Sequence, residues 1–263
     1  MTDSMKYCDI ILPAATHFEH DEIFCAYGQP YLQRAAPVIE PVGESLPNTE
    51  IFRRLAARFR FNEDIFKASD KELMDDAIDG TDPRLKGYRP SEIPLGTALS
   101  MEKGETDTIL FGNAVPATPS GKIELASAYL RDAFGQEIPV YHPVESEYPL
   151  SLVTPSSNKM ITSTFGGVKA NDDTPMLEMH PADAAARGLA DGIRVRLFNE
   201  LGEVFLPLKI TENVREGVIY SPKGSWFKTT ENNQTVSALA PTFKADLSEG
   251  ACFNDCRVEV EAA

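Results

Sequence analysis

The spacing of apolar and polar residues changes character near residue 147. Beyond it, short apolar runs recur between turn signals. Pro149–Thr154 and Met176–Met179 are two such runs. Ile193, Val195 and Leu197 alternate with Arg194 and Arg196, as a half-buried strand requires. Gly202 permits a tight turn into Val204–Ile210, which predicts a hairpin. Val218–Ser221 and Cys256–Val260 bring the total to about six strands. One helix lies among them at 181–188, with Pro181 at its start and Gly188 at its end. Short strands in this number predict a small closed or nearly closed β barrel.

Ahead of residue 147 the pattern is different. Cys8-Asp9-Ile10-Ile11-Leu12 is nearly all apolar and is closed by Pro13, which predicts a strand buried on both faces of a parallel sheet. Only seven residues precede it. A lone parallel strand can neither satisfy its backbone nor bury two faces. Its neighbours are therefore expected from another chain or from a longer design of which this is the tail. Residues 17–47 read as irregular, broken by Gly28, Pro30, Pro37, Pro41, Gly43 and Pro47. A helix is predicted at about 49–59, with Asn48 as N-cap. Ile51, Phe52, Leu55, Ala56 and Phe59 form its apolar stripe, and Arg53, Arg54 and Arg58 its solvated face. Ser69 and Glu72 make a capping box for a second helix at about 70–79, stopped by Gly80. Residues 81–120 read as loop with short strands, and Ser127–Phe134 as a short helix ended by Gly135.

Composition narrows the partners. Hydrophobic residues make up 42% and charged residues 25%, the balance of an ordinary soluble domain. No apolar run approaches the roughly 18–20 residues that cross a bilayer. The first residues lack the basic start and apolar core of a secretory signal. A formal net charge of −15 opposes both nucleic acid and an anionic membrane surface, so neither is expected as a partner. It does not oppose a phosphate-bearing cofactor, because backbone N–H groups hold phosphate locally. Cytoplasmic location is the default expectation for the chain itself, with a periplasmic place open to a longer enzyme that carries an export signal elsewhere.

Four cysteines, Cys8, Cys25, Cys252 and Cys256, are too sparse for a disulfide scaffold and read as reduced thiols. Cys8, His17, His20 and Cys25 match no common zinc spacing, so the histidines read as surface residues and no metal site is expected. Arg257 is the single basic neighbour of Cys252 and Cys256, which read as structural. Gly224-Ser225 reads as a turn, with self-cleavage to a pyruvoyl group as its rival.

Five segments in order carry a resemblance. Cys8-Asp-Ile-Ile-Leu-Pro-Ala-Ala-Thr16 with Glu19, Thr118-Pro-Ser-Gly-Lys-Ile-Glu124, Leu152-Val-Thr-Pro-Ser-Ser157 with Ser163-Thr-Phe165, Met179-His-Pro-Ala-Asp-Ala-Ala-Ala-Arg-Gly188 with Asp191-Gly192, and Phe253-Asn-Asp255 resemble successive segments of the dimethyl sulfoxide reductase superfamily of molybdopterin oxidoreductases. The resemblance implies an α/β remnant, mainly β overall. Residues 1–60 would end a Rossmann-like domain, 61–147 would be a helical and loop connection, and 148–263 would be a six-stranded double-psi β barrel binding a molybdopterin dinucleotide. It implies a bis-molybdopterin guanine dinucleotide cofactor with molybdenum or tungsten, complete only with the rest of the enzyme. The implied partner is the N-terminal catalytic part of the same enzyme. The alternatives are a small subunit completing a catalytic subunit in trans, and an independent pyruvoyl or metal enzyme on a related barrel.

A pterin is planar and edged with amide-like donors and acceptors, so short polar side chains at strand ends suit it. Thr154, Ser156, Ser157, Ser163 and Thr164 supply them in one stretch between strands, with Phe165 beside them. Their hydroxyls are expected to be exposed and to converge at one end of the barrel. Trp226 in a turn-like stretch, Asn233 (or Asn232), Ser237 and Asn254 are expected at the same mouth, and Thr16 and Glu19 carry the family's N-terminal motif. Ser237-Ala-Leu-Ala240 departs from the family's Asn-Ala-Leu-Thr. No residue is assigned as catalytic or metal-binding, because neither a four-cysteine cluster pattern nor a metal-ligand segment occurs here.

Overall fold

The structure, a computed structural model, describes residues 2–25, 27–102, 109, 111–166, 168 and 175–263. It divides into two compact units, Cys8–Glu124 and Met1–Tyr7 with Leu125–Ala263.

In the Cys8–Glu124 unit, β1 (Glu22–Cys25) and β2 (Tyr31–Ala35) pair antiparallel, from Glu22 against Ala35 to Cys25 against Leu32. The short β3 (Leu99–Ser100) extends the sheet beside β2. A small core of Leu32, Leu85, Ile93 and Leu99 lies against it. This hairpin falls within the stretch read as irregular. Phe24 and Tyr31 are exposed, so the strands lack the clean alternation that marks a half-buried pair.

Helix α1 (Asn48–Phe59) begins one residue earlier than predicted, with Pro47 rather than Asn48 as its N-cap and no side-chain cap. Of its apolar stripe only Ala56 is buried, while Phe52 and Phe59 are more than half exposed. Arg53 is not solvated as expected. Its guanidinium donates to Ala68 O at 2.6 Å and to Glu50 at 3.1 Å, and pairs with Asp70, tying α1 to α2. Helix α2 (Asp70–Asp76) has the full capping box of Ser69 and Glu72, but ends at Ala77 before Gly80 is reached.

The Cys8–Leu12 run forms no strand. Ile10 is 78% exposed and Leu12 53%, and the single nearby pairing is the isolated parallel bridge of Ala14 with Leu46. The expected burial on two faces is thus not met by the described residues, and the run presents apolar side chains to solvent.

The other unit holds α3 (Ala128–Phe134), capped by Ser127 and ended at Gly135, and a closed barrel. Its strands are β4 (Leu150–Val153), β5 (Leu177–Met179), β6 (Arg194–Asn199), β7 (Gly202–Ile210), β8 (Val218–Tyr220) and β9 (Arg257–Ala262). Around the barrel the order is β4-β8-β5-β7-β6-β9, with β9 returning to β4. Two of the six pairings, β4–β8 and β5–β7, are parallel. Helix α4 (Pro181–Ala186) follows β5. Alternation dictates the core. Leu150, Leu152, Leu177, Met179, Val195, Leu197, Val204, Leu206, Leu208, Ile219, Val258 and Val260 all point inward and are buried. The residues between them, among them Arg194, Arg196 and Glu259, face outward and pair with one another's neighbours, as Arg196 does with Glu203 and Glu261.

Candidate cofactor site at one end of the barrel

Strand register decides which loops share an end. β4 and β8 run parallel, with Val153 beside Tyr220, so the chain leaves both at the same end. β5 is antiparallel to β8, and its first residues lie beside the last of β8. β9 is antiparallel to β4, which brings residues 252–256 to that end. β6 is antiparallel to β9, which brings the turn between β6 and β7 there too. One mouth therefore collects the segments after β4, before β5, after β8, between β6 and β7, and before β9.

Direct contacts knit this mouth together. The Lys223 N–H donates to Pro155 O at 3.1 Å, and the Trp226 indole N–H donates to Ser163 O at 2.9 Å. Two glycines permit that closeness. A Cβ on Gly166 would stand 1.8 Å from Trp226 Nε1, and one on Gly224, whose φ is +97°, would stand 1.8 Å from Thr162 O. The segment 221–226 is thus the seat on which both the Thr154–Ser157 and Ser163–Phe165 stretches rest. Lys223 Nζ lies 4.8 Å from the Phe253 ring centroid, next to Asn254. Ser237 sits in the short 3-10 turn Val236–Leu239, which packs on β7. The Leu239 carbonyl of that turn accepts from Asn199 Nδ2 at 2.9 Å and from the Cys256 thiol at 2.9 Å. Burial pushes that thiol up to about 11, so Cys256 is a core residue and not a nucleophile.

The individual side chains differ from expectation in detail. Thr154 is buried, not exposed, because it continues the inward row of Leu150 and Leu152. The Ser157 hydroxyl accepts from the N–H groups of Lys159 and Met160 and shapes its own turn. The Thr164 hydroxyl donates to Ile161 O at 2.5 Å. Ser156, Ser163, Phe165, Asn233, Ser237 and Asn254 are exposed. Phe165 and Asn233 adopt left-handed backbone, φ +61° and +54°. Thr16 and Glu19 belong to the other unit. Both Glu19 carboxylate oxygens are committed, to Thr16 N–H at 2.6 Å and Val42 N–H at 2.7 Å. The Thr16 and Val42 N–H groups hold this carboxyl below the usual glutamate range.

Two atoms at the mouth went unread in the sequence or were read only as an option. Ser221 Oγ and Asn232 Oδ1 are buried and have no hydrogen-bond partner. Ser221 is the next inward position after Ile219 on β8, so it is fully buried where the row turns from apolar to polar. Asn232 Nδ2 is anchored on Glu203 O at 2.9 Å.

Comparison with known proteins places this geometry. The profile of the Molydopterin dinucleotide binding domain matches residues 150–257, the whole of the barrel up to the start of β9. That of Molybdopterin oxidoreductase matches residues 1–58. The chain belongs to the molybdopterin oxidoreductase superfamily. Within this superfamily it corresponds to the C-terminal part. The probable oxidoreductase YoaE of Bacillus subtilis is 35% identical over 267 residues, which cover 99% of this chain and 38% of that protein. The dimethyl sulfoxide reductase DmsA of Escherichia coli is 26% identical over 302 residues, covering 99% of this chain and 36% of that protein. The chain thus spans little more than a third of the length of these relatives. Among solved structures, acetylene hydratase from Pelobacter acetylenicus shares the fold with a TM-score of 0.71 at 22% identity, over 100% of this chain and 39% of its own.

The donor set of this molybdopterin oxidoreductase segment fits a dinucleotide. Ser221 Oγ and Asn232 Oδ1 are uncommitted polar atoms at the mouth, and the exposed Ser156, Ser163, Ser237 and Asn254 line its rim.

Proposed function

We propose that the barrel mouth grips a molybdopterin guanine dinucleotide carrying molybdenum, and that residues 148–263 form the domain that does so. The observation that carries this reading is the convergence on one end of the barrel of a polar rim and two buried, unpartnered polar atoms. The rim residues are Thr154, Ser156, Ser163, Trp226, Ser237 and Asn254. Thr154 and the backbone around Gly224 lie where a planar ligand edge would enter, and Trp226 fixes the Ser163 loop that walls it. Ser157 and Thr164 act one step back by shaping that loop. When bound, the cofactor supplies a metal centre for electron or oxygen-atom transfer. This chain's residues bind it, orient it and exclude water from its edge. The names of these similar proteins span dimethyl sulfoxide reduction and acetylene hydration, so they single out no one substrate for this chain.

The chain works as the C-terminal part of a larger oxidoreductase. Its apolar Ile10–Leu12 run and the exposed Phe52 and Phe59 of α1 suit a face covered by the catalytic remainder of that enzyme. The relatives carry this portion inside one longer chain, which favours that arrangement over a small subunit working in trans. Gly224, at φ +97° beneath Thr162 O, serves the turn and gives no support to self-cleavage. The test is to release bound material from the intact enzyme by acid and assay it for pterin fluorescence, guanine nucleotide and molybdenum. Absence of all three would overturn the proposal.

A further inference from the structure

The two unpartnered atoms at the mouth share a property that the exposed rim lacks. Each is fixed before any ligand arrives. Ser221 is held by its own N–H, which donates to Val153 O at 3.2 Å at the end of the β4–β8 ladder, and its side chain is fully buried. Continuing the register of Val153 beside Tyr220 sets Ser221 beside Thr154, so two hydroxyl residues cap the apolar barrel core on adjacent parallel strands. Asn232 is held through Nδ2 on Glu203 O, which leaves Oδ1 as an acceptor with a set position and no second role. Among the described residues these are the two buried side-chain polar atoms without a partner, and both lie at the same end of the barrel. A buried polar group left unpaired costs stability, and a fold retains one where something else completes it.

We infer that Ser221 and Asn232 are specificity-determining residues of the dinucleotide site, reading a planar ligand edge that presents N–H groups. This rests on the cofactor reading above. Asn232 Oδ1 can only accept, so it selects an edge with an N–H, as pterin and guanine both have. Ser221 Oγ can donate or accept, so it can pair with an N–H, a ring nitrogen or a carbonyl of the ligand. The two oxygens gain their partners only in the bound state, and so contribute to retention without contributing to the stability of the empty protein.

That asymmetry supplies the test. Ser221→Ala and Asn232→Ala are made in the intact enzyme, which is isolated both with cofactor and from a host that makes no molybdopterin. Ser221→Ala should lower pterin and guanine nucleotide retained after dialysis by about two- to tenfold, while raising rather than lowering the Tm of the empty enzyme, because a buried unpaired hydroxyl is removed. Asn232→Ala should lower retention similarly and lower the empty Tm, since it also removes the bond to Glu203. A Ser221→Ala enzyme that retains cofactor like the parent, or whose empty form is destabilised, overturns the inference. Should Gly224→Ala lose cofactor while both variants retain it, the mouth is the site and these two residues do not read the ligand. If the parent itself yields no pterin, the cofactor reading falls and this inference with it.

Discussion

Replacing Gly224 by alanine tests how the mouth is assembled. The new Cβ would stand 1.8 Å from Thr162 O, 2.5 Å from Thr162 C and 3.2 Å from its Cα. These are backbone atoms, and carbon contacts settle near 3.5–4.0 Å, so the 221–226 segment and the Thr162 loop must separate by roughly 1.5 Å. The Trp226–Ser163 hydrogen bond, now 2.9 Å, then lies outside hydrogen-bonding distance. Losing that bond costs about 0.5–1.5 kcal/mol, and holding alanine at a positive φ costs about 1 kcal/mol more. The sum is roughly 2 kcal/mol, or a fall in Tm of roughly 4–8 °C for a unit of this size. The core side chains Leu152, Leu177 and Ile219 are untouched, so the barrel should remain folded. Trp226 is the only tryptophan in the sequence, and its emission reports the contact directly. Emission should shift to the red as the released indole moves into water, and far-ultraviolet dichroism should stay constant. An unchanged emission maximum together with an unchanged Tm would refute this account of the mouth.

Other expectations follow from the same structure. Glu19 has its carboxyl held low by two N–H donors, so its contribution to stability is present above the ordinary glutamate range and is lost as pH falls through the lowered value. Glu19→Gln should therefore be less stable than the parent at pH 7, with the gap in Tm closing below about pH 4; a gap that is independent of pH would contradict the brace. Thiol titration at pH 8 should modify the exposed Cys8 and Cys25 quickly, whereas Cys256, buried and raised to about 11, should react only after denaturation. Leu152→Ala should cost about 2–5 kcal/mol by opening the barrel core, measured by denaturant titration. Ser69→Ala should cost about 1 kcal/mol, local to α2, and faster amide exchange confined to that helix would show it.

The barrel was legible because its strands alternate. Val195 and Leu197 face in while Arg194 and Arg196 face out, and the same period sets Leu150 and Leu152 against Ser151 and Val153. The capping box at Ser69 and the Ser127–Gly135 helix were equally plain, since a cap is a local hydrogen-bond pattern. The β1–β2 hairpin was hidden by its exposed aromatic residues and by the breakers around it. The role of Arg53 depends on Ala68 and Asp70, and helical periodicity alone cannot supply such distant partners. At the mouth, family motifs pointed to the Thr154–Phe165 stretch, but not to Ser221, which looks like an ordinary strand-ending serine. Its signal lay in the inward row: Ile219 is followed two residues on by a hydroxyl where the core requires an apolar side chain. The Cys8–Leu12 run has the composition of a buried strand but forms none, and its apolar side chains remain exposed, because the described residues offer it no neighbouring strand.

The most direct measurement is the cofactor content of the intact enzyme, parent against Gly224→Ala, determined after acid release. The account predicts pterin, guanine nucleotide and molybdenum together in the parent, and a several-fold loss of all three in the variant while the barrel stays folded. Equal content in both enzymes would show that this end of the barrel does not hold the dinucleotide.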